Sequence, residues 1–82
     1  MPKTIQRTQT GVRLETSLLK VLKALAEYLD MSLGDLLECV VLHAFEGKAP
    51  FGPDTLQVIA KLKNVYCCEL SADDSHRMQE SN

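Results

Sequence analysis

The feature that most limits what this chain can become is a change of period near residue 16. From Thr8 to Glu15 the sequence TQTGVRLE alternates, with Thr10, Val12 and Leu14 on one side and Gln9, Gly11 and Arg13 on the other. A period of two is that of a short strand, because successive side chains of an extended backbone point to opposite faces. From Thr16 onward Leu18, Leu22, Leu25 and Leu29 recur at helical spacing, joined by Val21 and Ala26, while Lys20, Lys23 and Glu27 take the outer face. That spacing predicts an amphipathic helix. Asp30-Met31-Ser32 interrupts it, and Ser32 with Asp35 has the form of a capping box with a shortened acid. A second helix is predicted from there, with Leu33, Leu36, Leu37, Val40, Val41, Ala44 and Phe45 as its apolar stripe and Gly47 placed to terminate it.

Residues 47–53 (GKAPFGP) hold two Gly and two Pro and read as a connector. Pro53 or Asp54 opens a weaker third helix through Leu56, Ile59, Ala60 and Leu62, expected to pack on the first two. Few large apolar residues follow in 66–82, so this stretch reads as an acidic polar tail with one turn capped by Ser71. The expected organisation is therefore a flexible basic arm over 1–7, a core unit over 8–47, a linker and third helix over 48–65, and the tail over 66–82.

With 82 residues there is room for one small domain, and a chain of this size rarely buries enough surface to be stable alone. A single strand also leaves its backbone N–H and C=O groups unpaired. No other strand candidate is present in the core unit, so the simplest completion is an antiparallel pair with the same strand of a second subunit, that is, an obligate homodimer.

The stretch TGVRLETSLLKVLKALAEYLDMSLGDLLECVVLHAFEGK (residues 10–48) resembles a ribbon-helix-helix domain, the family of the Arc and Met repressors and of many antitoxins, a likeness that covers roughly residues 8–47. The features that carry the likeness are the V-R-L strand end leading into L-x-x-x-L-x-x-L-A, the polar break Asp30-Met31-Ser32, and the Leu36-Leu37 and Val40-Val41 pairs. The resemblance implies a mainly α fold whose one strand pairs across the dimer and enters the DNA major groove, where alternate side chains read base edges. It implies base contacts from Gln9, Gly11 and Arg13, with glycine at the middle position supplying no reading group. It implies a phosphate held at the start of the second helix by Ser32, Leu33 and Gly34, although Leu33 replaces a basic or polar residue and Asp35 repels an anion nearby. Lys3 and Arg7 would add phosphate contacts from the arm. The dimer core would comprise Val12, Leu14, Leu18, Leu22, Leu25, Leu36, Leu37, Val40 and Val41.

The charge distribution agrees with a nucleic-acid partner. Residues 1–23 carry five basic side chains against Glu15, whereas residues 24–82 carry four basic and ten acidic ones. A basic arm on an otherwise acidic protein favours phosphate contact, because local charge governs counter-ion release. No apolar stretch is long enough to span a membrane and the first ten residues have no signal-peptide character. Three cysteines, two of them adjacent as Cys67 and Cys68, suit reduced thiols, and a cytoplasmic location is expected.

Two constellations are set aside. Cys39 and His43 lie four apart on one helical face, yet two ligands do not make a metal site, so no metal or other cofactor is expected. Asp73, Asp74, Ser75 and His76 offer the residue types of a hydrolytic triad, but neighbours on a tail cannot hold its geometry. The expectation is a sequence-specific transcriptional regulator rather than an enzyme. The alternative is an antitoxin-like or scaffold module whose residues 50–82 bind a protein partner, with DNA binding weak or absent.

Overall fold

Helix starts are decided by which groups satisfy the first free backbone N–H donors. In the computed structural model, which describes residues 2–81, three such starts are satisfied in three different ways. Met1 and Asn82, the ends of the expected arm and tail, lie outside the described residues. Helix α1 (Thr16–Tyr28) is capped by Glu15, whose carboxylate accepts from the Leu18 N–H at 2.9 Å. Helix α2 (Leu33–Phe45) is capped by Ser32, whose hydroxyl accepts from the Asp35 N–H at 3.1 Å. Asp35 does not close the capping box; its carboxylate lies 3.8 Å from Arg7 Nη2 instead. Helix α3 (Pro53–Val65) follows Gly52 and opens on proline, whose missing N–H is no loss there.

The three helices end alike. Asp30, Gly47 and Cys67 all have positive φ, at 58°, 68° and 54°. Each donates its N–H back to the preceding turn, and the residue after each donates to the carbonyl one residue further back: Met31 to Ala26 at 3.0 Å, Lys48 to His43 at 2.8 Å, Cys68 to Lys63 at 2.8 Å. This is the Schellman termination, in which a left-handed residue turns the chain and satisfies the last carbonyls. Beyond α3, a 3₁₀ turn over Ala72–Asp74 is tied by the Ser71 N–H donating to Asp74 Oδ2 at 2.8 Å.

Helix α1 is central: α2 and α3 each pack on it and not on one another. Leu25 and Ala26 of α1 and Leu36 of α2 form the buried centre, surrounded by the half-buried Leu22, Leu29, Met31, Val40, Phe51, Val58, Ile59 and Leu62. Cys68 is also buried, because the turn at Cys67 directs it inward. Lys63 Nζ donates to the Leu70 carbonyl at 2.6 Å and holds the following chain against α3.

The chain is mainly α, but it is not the ribbon-helix-helix architecture expected from the resemblance. No strand occurs among the described residues, and residues 2–15 have no regular secondary structure. The alternation over 8–14 is a property of side chains, whereas a strand requires a neighbouring extended backbone to pair its N–H and C=O groups. The three helices satisfy their own backbone groups internally and present no such edge.

The surface is large for the mass. A compact monomer of 9.1 kDa exposes about 4,900 Å², whereas this chain exposes 7347 Å². Its radius of gyration is 14.1 Å, against about 11.7 Å expected for a compact domain of 82 residues. Part of the excess is the extended N-terminal segment; another part is α2, where only Leu36 is fully buried although apolar residues occur all round the helix.

Candidate nucleic-acid interface

Residues 2–14 run as an exposed segment, so Lys3, Arg7, Gln9, Gly11 and Arg13 all face solvent. A side chain added at Gly11 would meet nothing within 4 Å, so no packing within the chain demands glycine there. The segment is attached to α2 by Arg7 and to the tail by Arg13. Arg7 donates from Nε and Nη2 to the two carboxylate oxygens of Glu38, each at 3.0 Å. Arg13 pairs through Nη2 with Glu80 Oε2 of the tail.

The start of α2 stands beside this segment. An open trough of about 900 Å³ is walled on one side by residues 6–12 and Leu14 and on the other by Ser32, Leu33, Gly34, Asp35, Leu37 and Glu38. The candidate phosphate-binding residues Ser32, Leu33 and Gly34 and the candidate contacts Arg7, Gln9 and Gly11 therefore open on one space. Arg13 lies outside that trough, in a smaller one shared with Met78, Gln79 and Glu80. The first-turn N–H groups of α2 have no acceptor within the helix and carry its positive dipole end, an arrangement that suits an anion. Asp35 in that first turn opposes a second negative charge.

Electrostatics at the site follow from these contacts. The hydrogen bond from Arg7, and then its charge, hold the Glu38 carboxyl below the ordinary glutamate range, and the same pairing raises Arg7. The Ser17 hydroxyl, followed by the Leu18 N–H, lowers Glu15.

Of the expected dimer-core residues, Leu25 and Leu36 are buried and Leu18, Leu22, Leu37 and Val40 are half-buried within the single chain. Val12, Leu14 and Val41 are exposed, at 72%, 39% and 43%. They join Leu42 at 62% and Phe45 at 83% in a set of large apolar side chains that the single chain leaves in water.

Cys39 Sγ lies 3.7 Å from His43 Nδ1, and that nitrogen is 2.7 Å from the Cys39 carbonyl, which ties the ring to its own helix. No group of three or more His, Cys, Asp or Glu side chains with metal-site proximity occurs among the described residues. In the tail Asp74 accepts from Ser71, and no side-chain hydrogen bond joins Ser75 to His76 among the described residues.

Reading the sequence missed Glu38, Asp35 and Glu80 as partners of the arginines, and Glu15 as a cap. No local pattern announces a contact spanning 31 or 67 positions. Glu15 carried no such signal, since the usual start residues are the shorter Ser, Thr, Asp and Asn. No helix is long and apolar enough to cross a membrane among the described residues. Known family models, curated proteins and solved structures contain no match to the chain.

Proposed function

We propose that this chain is a homodimeric, sequence-specific DNA-binding transcriptional regulator of the cytoplasm, which contacts duplex DNA through its N-terminal segment and the start of α2. The observation that carries the reading is the shared trough, in which an exposed segment bearing the Arg7 guanidinium and the Gln9 amide faces the first turn of α2. Arg13 and Gln9 have the chemistry for base edges: arginine donates twice to guanine, and glutamine pairs with adenine. Lys3 and Arg7 serve phosphates, as do the backbone N–H groups of Ser32, Leu33 and Gly34.

The homodimer is supported by exposed apolar surface. On α2 the single chain leaves Val41, Leu42 and Phe45 largely in water, an apolar surface of the kind that a second copy would cover. Leu33, Leu37, Val41 and Phe45 form a ridge along α2 at spacings of four, suited to packing against a second copy. The three free thiols are compatible with a reducing compartment.

The test is fluorescence anisotropy of the full chain with duplex DNA from its own upstream region and with a scrambled duplex, at two salt concentrations. Tighter binding to the native duplex, weakening with salt, is the expected result. Equal binding to both would remove sequence specificity, and absence of binding would remove DNA as the partner.

A second reading draws on α3 and the turn after it, where Leu56, Val65 and Tyr66 are exposed at 52%, 69% and 38%. On that reading residues 50–82 bind a protein partner in the manner of an antitoxin or scaffold, and the anisotropy experiment returns no complex.

A further inference from the structure

Both arginines central to the proposed interface are already held by carboxylates of the same chain. Arg7 presents the fork of Nε and Nη2 to Glu38, with Asp35 3.8 Å away. That two-pronged geometry is the one a guanidinium offers a phosphate group. Arg13 is held by Glu80, which the tail carries back across the molecule so that Met78, Gln79 and Glu80 line the same recess as Arg13. The two attachments fall on one segment, at residues 7 and 13, and the carboxylates come from separate elements, α2 and the tail.

We propose that Glu38 and Glu80 act as internal substitutes for DNA phosphate, latching the N-terminal segment to the body of the protein so that DNA must displace them to bind. The inference rests on the DNA-binding reading above. Solvent reaches every partner: the side chains of Arg7 and Glu38 are 62% and 47% exposed, and those of Arg13 and Glu80 are 84% and 62% exposed. Exposed ion pairs are individually weak, so a polyanion with many closely spaced charges can replace them. The latch therefore lowers apparent affinity without preventing binding, and it does so most at isolated phosphates and least on a duplex that engages both arginines together. It also couples the tail to the interface, since Glu80 leaves Arg13 when DNA arrives.

The experiment compares Glu80→Gln and Glu38→Gln with Glu69→Gln, which removes the same charge from a recess shared with Cys67 and Cys68 and containing neither arginine. Each full-length variant is titrated with the upstream duplex at low and at physiological salt. Glu80→Gln and Glu38→Gln are expected to bind roughly two- to five-fold more tightly than wild type, the scale of one exposed ion pair, and Glu69→Gln distinctly less so. Equal tightening by all three would show a general charge effect and overturn the latch. No tightening in a wild type that does bind DNA would overturn the latch alone. Failure of wild type and all variants to bind would overturn the DNA reading, and the latch with it. In the DNA-free protein, the Arg13 Nη–H resonances should move with Glu80→Gln and stay in place with Glu69→Gln; unmoved resonances would show that the contact is not populated and would also overturn the latch.

Discussion

Arg7 and Glu38, 31 positions apart, are joined by two parallel hydrogen bonds of 3.0 Å each. This contact attaches the irregular N-terminal segment to α2, and it draws Asp35 into the same cluster at 3.8 Å. It also makes one wall of the trough depend on the charge state of a carboxylate on the other wall.

That dependence has a definite sign. The Glu38 carboxyl is lowered from its ordinary value, first by the hydrogen bond from Arg7. A depressed carboxylate holds its partner fully above the ordinary glutamate value and releases it as pH falls through the lowered one. A carboxyl-carbon NMR titration of Glu38 should therefore have its midpoint below that of the same residue in Arg7→Gln. Coincident midpoints would show that the pair does not form in solution.

The helix ends make a prediction about stability. Cys67 occupies the left-handed region at φ 54°, where an L side chain is strained, and glycine is not. Cys67→Gly should therefore stabilise the fold by about 0.5–1 kcal/mol, allowing for the extra chain entropy of glycine. Gly47→Ala should do the reverse, by about 1 kcal/mol, since a methyl group there meets no atom within 4 Å and only the backbone conformation is at issue. Chemical denaturation midpoints check both, and movement in the same direction would contradict the account.

Leu36 is wholly buried and Phe45 is 83% exposed, although both are apolar residues of α2. Leu36→Ala should cost about 2–5 kcal/mol, enough to unfold a domain of this size, whereas Leu36→Asp should prevent folding outright. Phe45→Ser should keep the helical circular dichroism of the wild type yet weaken self-association in sedimentation. A Phe45→Ser variant that associates as wild type would rule out this ridge as the dimer contact.

Arg13 is the sharpest test of the proposed function. Arg13→Ala should leave helix content unchanged and remove the preference for native over scrambled duplex, a loss on the order of 1–3 kcal/mol of discrimination for one bidentate contact. A variant that still distinguishes the two duplexes would assign base reading to other residues.

The periodicity of the leucines, the polar break at Asp30-Met31-Ser32 and the glycine and proline punctuation at 47–53 are local signals, and the helices sit where they predict. Local signals suffice for helices because every backbone hydrogen bond of a helix closes within a few residues. The alternation over 8–14 was an equally clear local pattern and did not produce a strand, because a strand draws its hydrogen bonds from a neighbour that local sequence cannot supply. The same limit applies at the candidate site. Arg7, Gln9 and Arg13 were legible as an exposed basic and amide-bearing set, but their partners Glu38 and Glu80, like the burial of Cys68 behind Cys67, follow from where distant elements come to rest. The amino-acid order alone determined three helices, the Ser32 cap of α2 and the apolar faces. Tertiary structure decided that α1 lies between α2 and α3, and that the N-terminal segment is held by carboxylates, because packing and ion pairing depend on distances in space that separation along the chain does not specify.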